Sequence, residues 1–478
     1  MKIHIHKQST IPIYLQISNQ IAQRIHSGLL LENEQLPSLR MLADELSISV
    51  LTIRKAYKWL EKTGYVWVKP GKGVFVLKKT NRAQQKKDSS NNWQQTLGIN
   101  VVRSQYLMNK ESVTYNFSKA VVYPRLLPNK FLAEETQKLL KEDASILTTY
   151  GSVQGDEELR IEISKHLFEF QKIRSTHENI IITSGVQQGI DLVAQAVLKP
   201  GDSVIVESPC YGGALDIFIN KGIHIIPIEM DNEGIRSDLI EDVFHKFNPK
   251  LLYVNPSFQN PTGVSMSSDR RKELVELAER YNFFILEDDS FGDIYFEQSV
   301  RQPPIKYYDR DHHVIYIKGF SKTLAPGIRI AAMLAYGPIF DWLLAVKASM
   351  DVGSPLLTQK VILPFLRTDR MRNHVEKLRI ALQLRRDRSV DILSTETNRL
   401  QFQIPNGGFN LWLSINKPKI DIFDLLKKAN EKDISFLPGV ACYNNKTNEP
   451  SFRISYSLVS EDELSIGLVE LCKIINQY

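Results

Sequence analysis

The segment IYIKGFSKTLAPGIRI, residues 315–330, runs an apolar stretch into Ser321-Lys322, then a Pro-Gly turn, then Arg329, seven positions after the lysine. A lysine delivered by a strand to a partly dry pocket loses protons more readily, because burial and nearby cations disfavour the ammonium. The neutral amine can then attack an aldehyde. Arginine offers a planar fork suited to phosphate. Other strand ends carry companion groups. IIITSGVQQG turns at Gly185, and Val186 and Gln187 open a helix whose free N–H groups favour an anion. VESPCYGG presents Tyr211, and NPSFQNPTG leaves Asn260 before a Pro-Thr-Gly turn. FFILEDDSF takes an apolar strand into Glu287-Asp288-Asp289 and then Ser290.

Each feature has a bland reading when taken singly: a surface lysine, a packing glycine, a solvated acid. Taken together in this order, lysine, arginine, aspartate, aromatic ring and amide meet the needs of pyridoxal phosphate. Its aldehyde would form an imine with Lys322, and its phosphate would sit on Arg329 and the helix start at Gly185–Gln187. Asp288 would keep the pyridine nitrogen protonated and Tyr211 would stack on the ring. Ser290 and Ser321 complete the candidate set. No metal is expected, since Cys210, Cys442 and Cys472 have no ligand spacing.

The elements that must hold these groups alternate from about residue 112 to the end. Short β-rich runs (NIIITSG, DSVIVESP, IHIIPIEM, LLYVNPS, FFILEDD, VIYIKGF) are separated by amphipathic helical stretches, which argues for a parallel-rich sheet covered by helices. Residues 11–78 form a different unit. Ile17, Ile21 and Ile25 repeat at helical spacing up to Gly28. Ser38 and Ser49 stand as N-caps of two further helices, and YVWVKPGKGVFVL reads as two strands around a turn. Three helices and a β-ribbon make a winged helix-turn-helix. Residues 80–111 are polar and aperiodic and read as a linker of about 30 residues, with a root-mean-square span of roughly 30 Å. Residues 1–79 hold twelve Lys/Arg and five Asp/Glu, an excess of seven positive charges, whereas the chain as a whole carries +6. A small segment holding the whole excess suits a polyanionic partner. No apolar run is long enough to cross a bilayer and MKIHIHKQST has no signal-peptide character, so a cytoplasmic protein is expected.

Two resemblances sharpen this reading. Residues 115–478 resemble the fold-type I aminotransferase family, subgroup I, through YGSVQGDEELR, TSGVQQG, ESPCYGG, PSFQNPTG, LEDD, GFSKTLAPGIRI, PNGGFNLWL and FRISYS. Residues 11–78 resemble the GntR-type winged helix through LPSLRMLADELSIS, TIRKAYKWLEKTGYV and PGKGVFV. A GntR head on an aminotransferase-like body is the MocR architecture. The resemblance implies a multidomain chain: a DNA-binding domain at 1–79, a linker at 80–111 and a cofactor-binding effector domain at 112–478. The last would be an α/β fold with a smaller C-terminal α+β subdomain. It implies that Lys322 carries the cofactor, Asp288 partners its ring nitrogen and Asn260 its ring oxygen, and that Arg453 pairs with a substrate or effector carboxylate. It also implies a homodimer, with Tyr150 either reaching the partner's cofactor phosphate or playing a structural part. For the head it implies that Thr52, Arg54 and Lys55 project from the helix after Ser49 toward a DNA operator. Ser38 and Arg40 would touch phosphate from the preceding helix, and Lys72 from the wing tip.

Departures are visible too. Val50 stands where relatives usually carry arginine, Gly319 where they often carry a hydroxyl residue, and Ser290-Phe291 where they often carry tyrosine. Two functions follow as expectations. One is a transcription regulator whose effector domain senses an amine or amino acid by exchange at the Lys322 imine. The other is a working aminotransferase that carries a DNA-binding module.

Overall fold

A computed structural model describes residues 3, 5, 12–26, 29–77, 113–298, 301–416, 420–444 and 450–478. The chain divides into two compact units, Met1–Ile99 and Asn100–Tyr478. The expected linker 80–111, and Gly28 as a helix stop, lie outside the described residues.

In the first unit, α1 (Ile13–His26), α2 (Leu39–Leu46) and α3 (Val50–Lys62) precede an antiparallel ribbon of β1 (Val66–Lys69) and β2 (Gly73–Val76). Both expected caps are present: the Ser38 hydroxyl accepts from the Met41 N–H and the Ser49 hydroxyl from the Thr52 N–H, each at 3.2 Å. The helical stripes converge on one core in which Ile17, Ile21, Leu42, Ile53, Ala56 and Leu60 are buried. The Tyr57 hydroxyl ties α3 to the chain before α2 by donating to the Pro37 carbonyl at 2.9 Å. The ribbon turn needs glycine: Gly71 has φ +72° and Gly73 φ +120°. Gln35 Nε2 fastens the tip by donating to the Lys72 carbonyl at 2.8 Å.

The second unit is built on an eight-stranded sheet of β4 (Ile180–Thr183), β5 (Ser203–Ser208), β6 (His224–Asp231), β7 (Gly234–Ile235), β8 (Leu251–Val254), β9 (Phe284–Asp289), β10 (Val314–Gly319) and β11 (Ala331–Leu334). Their order is β4-β11-β10-β9-β8-β5-β6-β7, with the run from β10 to β6 parallel. Helices cover both faces, so the central strands are buried along their length, which is why they read as continuous apolar runs. The six strands expected here are found. β11 escapes the sequence reading because AAML is poor in β-branched residues.

The C-terminal lobe holds an antiparallel sheet of β12 (Leu400–Gln401), β13 (Asn410–Ile415), β16 (Ser451–Ser455) and β15 (Leu437–Pro438). A small parallel pair, β3 (Tyr115–Asn116) with β14 (Ile434–Ser435), adds the start of the unit to this lobe. The helix Arg370–Glu396 is shared between lobes. Met371 and Val375 pack in the core beside β4 and β11, whereas Leu378, Leu382, Ile392 and Leu393 pack in the core of the C-terminal lobe.

Side-chain alternation along β9 is what positions the chemistry. Asp288 and Asp289 point to opposite faces of the sheet. In β10, Lys318 lies opposite Asp289 and bonds its carboxylate at 2.9 Å. Lys322, beyond the strand end, remains for the face that carries Asp288.

Candidate functional site

Lys322 follows the end of β10, after Phe320 has anchored the turn in the core. Its Nζ donates to the Ala120 carbonyl at 2.6 Å. Burial, with Arg453 and Arg329 adding to it against the opposing charge of Asp288, pushes its pKa down to about 8. The amine is therefore neutral in an appreciable fraction of molecules near neutral pH.

Asp288 is buried at the end of β9. It accepts from the Ser290 hydroxyl at 2.5 Å and the Tyr253 hydroxyl at 2.9 Å. Burial lifts its pKa to about 6 against these two hydrogen bonds. The Ser290 hydroxyl is thus spent on the Asp288 carboxylate. Phe291, at the other candidate position for that tyrosine, packs edge-on against Phe409 in the lobe core, with ring centroids 5.1 Å apart. Gly319 also has a physical reason. A Cβ there would come within 2.9 Å of the Val186 side chain, so a hydroxyl residue needs Val186 to move.

Tyr211 opens the helix Gly212–Asn220 and donates its hydroxyl to Gln187 Oε1 at 2.9 Å. Gln187 in turn donates to the Gly213 carbonyl at 3.0 Å, so Gln187 orients the tyrosine. Burial pushes the Tyr211 hydroxyl up to about 12, leaving it neutral and a donor. Gly185 caps the helix Val186–Val197 with φ +84° and ψ 171°, a region held almost only by glycine. Arg329 bears on it: Nη2 donates to the Ser184 carbonyl at 3.2 Å and would lie 2.6 Å from a Cβ at Gly185. Ser321 sits half-buried one residue before Lys322. Gly185→Ala is expected to cost about 1–3 kcal/mol in backbone strain while displacing Arg329. Cofactor titration followed by absorbance should read roughly five- to a hundredfold weaker retention, since each 1.4 kcal/mol is tenfold.

Asn260 and Arg453 are in direct contact. Arg453 Nη1 donates to Asn260 Oδ1 at 3.0 Å and Nη2 to the Ser118 carbonyl. Arg453 Nε is buried and has no partner among the described residues. Beneath lies a layer that the sequence reading does not reach. The Asn255 side chain accepts from the Asn260 N–H at 2.8 Å and donates to the Asp288 carbonyl at 2.5 Å. The Asn255 N–H and Gln259 Nε2 both donate to Glu207 Oε2, at 3.1 and 3.2 Å. The signal is a polar residue at the end of an apolar strand, one or two positions before a proline, as in VESP and YVNP.

Glu207 is fully buried, and burial pushes its pKa up to about 8 in spite of these two hydrogen bonds. A raised carboxyl pKa means that the folded state holds a proton the unfolded chain has released. Its stabilising contribution is therefore full below the unfolded value of 4.5 and is lost as pH rises through about 8. Glu207→Gln, which keeps the accepting oxygen, should flatten the decline in stability between about pH 5 and 8. Chemical denaturation across that range measures it.

In the head, Arg40, Arg54, Lys55 and Lys72 are exposed, and Thr52 is half-buried with its hydroxyl 2.8 Å from that of Ser49. Ser38 and Ser49 spend their side chains on capping, which fixes the starts of α2 and α3. Val50 is exposed at the first position of α3.

Comparison with known proteins agrees with both units. Residues 122–471 match the family described as Aminotransferase class I and II, and residues 13–76 match Bacterial regulatory proteins, gntR family. The HTH-type transcriptional regulator YdfD of Bacillus subtilis is 30% identical over 98% of this chain and 98% of its own length. NorG of Staphylococcus aureus, also an HTH-type transcriptional regulator, is 32% identical over 91% of this chain and 98% of its own. Among solved structures, LysN, the alpha-aminoadipate aminotransferase of Thermus thermophilus, superposes with a TM-score of 0.75 at 26% identity. That structure was determined with N-(5'-phosphopyridoxyl)-L-leucine, and the match covers 80% of this chain and 98% of LysN.

Proposed function

The chain belongs to the class I and II aminotransferase family and is a transcription regulator with a gntR-family DNA-binding head, and from that premise we propose that its large domain senses an amine or amino acid at Lys322. Pyridoxal phosphate is the cofactor of this domain. The residues present fit it: Gly185 leaves the space that Arg329 fills, Lys322 is an amine held near neutrality, and Arg453 Nε waits without a partner among the described residues. When bound, the cofactor supplies an aldehyde that condenses with a primary amine and can pass from the lysine to an effector.

On this reading Lys322 is the protein's own amine, displaced by the effector's. Arg329, with the helix start from Gly185 through Gln187 and with Ser321, holds phosphate. Asp288, positioned by Tyr253 and Ser290, partners the ring nitrogen. A nearby cation lowers its pKa, so Asp288 is charged when the site is filled. Tyr211 covers the ring and Asn260 meets the ring oxygen. Arg453 takes the effector's carboxylate through the buried Nε side of its guanidinium. The carrying observation is the convergence at the strand ends of the Lys322 amine, the buried Asp288 and the buried Arg453, whose Nη1 donates to Asn260.

The effector shifts the regulator only by binding its two states differently. The Arg370–Glu396 helix, shared by both lobes, is the element through which lobe closure would be felt. We place the protein in the cytoplasm as a homodimer with paired DNA half-sites. Tyr150, 87% exposed in the single chain, would be covered by the partner. Among the described residues no helix is long and apolar enough to cross a membrane. Ser38, Arg40, Ser49, Thr52, Arg54, Lys55 and Lys72 form the operator-facing surface. The test is binding of the full-length, cofactor-loaded protein to the DNA upstream of its own gene, with a panel of amines and amino acids. Rapid turnover of an amino donor and keto acceptor, with no DNA bound, would establish the aminotransferase reading instead.

A further inference from the structure

A cavity of about 340 Å³, to whose wall Lys322 does not contribute, lies between residues His166–Lys172, the side chains of Asp293, Tyr295 and Arg301, and the start of the helix Arg370–Glu396. Its most distinctive feature is one tyrosine ring with two guanidinium groups. Arg379 lies 3.6 Å and Arg301 5.2 Å from the centroid of Tyr295. Arg379 Nε donates to the Asp293 carbonyl at 2.6 Å, and Arg301 Nη2 approaches Gln171 Oε1 at 3.3 Å. Neither has a carboxylate partner within ion-pair distance among the described residues.

The other charges in the cavity partly cancel one another. Arg372 is bonded to Glu169, and Asp293 is bonded to the buried Lys318 at 2.9 Å. Lys318 is shared with Asp289, so the Asp289–Lys318–Asp293 trio keeps one negative charge, and Arg301, Arg379 and Lys172 face that charge and Glu376, which leaves the cavity lining positive by one. His166 adds a second, independent sign. It is 7% exposed, lines the cavity, and its Nε2 is buried without a hydrogen-bond partner among the described residues. A buried polar atom left unmatched costs on the order of 1–3 kcal/mol, a cost that a ligand can remove.

We propose that this cavity is a second small-molecule site, taking an anion with a carboxylate or phosphate group on Arg301, Arg379 and His166. Unpaired guanidinium forks match either oxyanion, and the volume admits a molecule larger than a bare ion. The position suits a modulator. The cavity wall includes the shared helix, so a ligand there touches an element common to both lobes. Asp293 also connects the cavity to β9 and β10 through Lys318, which bonds Asp289 next to Asp288.

The experiment is calorimetric titration of the full-length protein with inorganic phosphate and, separately, succinate. The protein is loaded with pyridoxal phosphate, so that the cofactor's own phosphate position is filled. Saturable binding of one anion per chain is expected, and the stronger of the two identifies the source chemistry. Arg301→Gln with Arg379→Gln should weaken it by at least about tenfold, since two charge-assisted contacts are lost. The visible absorption of the bound cofactor should stay unchanged. In crystals of the unaltered protein, selenate should give an anomalous peak inside the cavity, a readout that does not depend on the variant folding. The proposal is overturned if neither anion saturates, if the double variant binds as tightly as the parent, or if phosphate saturates while selenate leaves the cavity empty.

Discussion

Lys322→Ala is expected to abolish covalent retention of the cofactor altogether. After loading with pyridoxal phosphate and reduction with borohydride, mass spectrometry should find the added mass on the parent protein at residue 322 and none on the variant. The other lysine of the segment cannot substitute, because Lys318 is held between Asp289 and Asp293 at 2.9 Å from each. The effect reaches beyond the lost bond. The Lys322 charge lowers the pKa of Asp288, already lifted to about 6 by burial, so removing it leaves that carboxyl protonated to a higher pH and a poorer partner for a cationic ring. The variant should therefore lose colour as well as the adduct, while its head, a separate core, still binds DNA. A reduced adduct on any other lysine would show that the site has been assigned to the wrong residue.

The second large effect is expected in the head. Arg54 and Lys55 are both exposed in the first turns of α3, away from the buried stripe of Ile53, Ala56, Tyr57 and Leu60. Removing them costs the fold almost nothing, because they contribute no core packing. A base-edge contact is worth about 1–3 kcal/mol, and each phosphate contact adds about 0.9 to the slope of affinity against salt. Arg54→Ala with Lys55→Ala should therefore weaken operator binding on the order of a hundredfold. If one contact is to a base and one to phosphate, the salt slope should fall by about one. Fluorescence anisotropy over a salt series measures both. Unchanged affinity would move the DNA-binding surface off α3.

The division of legibility between sequence and structure follows from what each residue's partners are. Lys322, Arg329, Asp288, Gly185, Tyr211 and Asn260 come from separate strand and helix ends, yet each sits in a short motif that stands out along the chain, whereas Arg453 is reached only through the family resemblance. Those motifs therefore read directly. The caps Ser38 and Ser49 read for the same reason, since a cap is a contact across three residues. Tyr253, Asn255 and Glu207 do not read, because their roles exist only once β5, β8 and β9 lie side by side. Ser290 illustrates the limit: its hydrogen bond to Asp288 is a contact between neighbours in sequence that no residue type announces. The guanidinium pair on Tyr295 is equally invisible, since residues 295, 301 and 379 share no local pattern.

The central claim is that amine exchange at Lys322 is what the DNA-binding head responds to. The most direct measurement is a single titration of an amine effector into cofactor-loaded protein bound to labelled upstream DNA, recording visible absorption and anisotropy together. The account predicts that both signals change with the same midpoint, and that Lys322→Ala shows neither. An absorption change that runs to completion while anisotropy stays flat would contradict it.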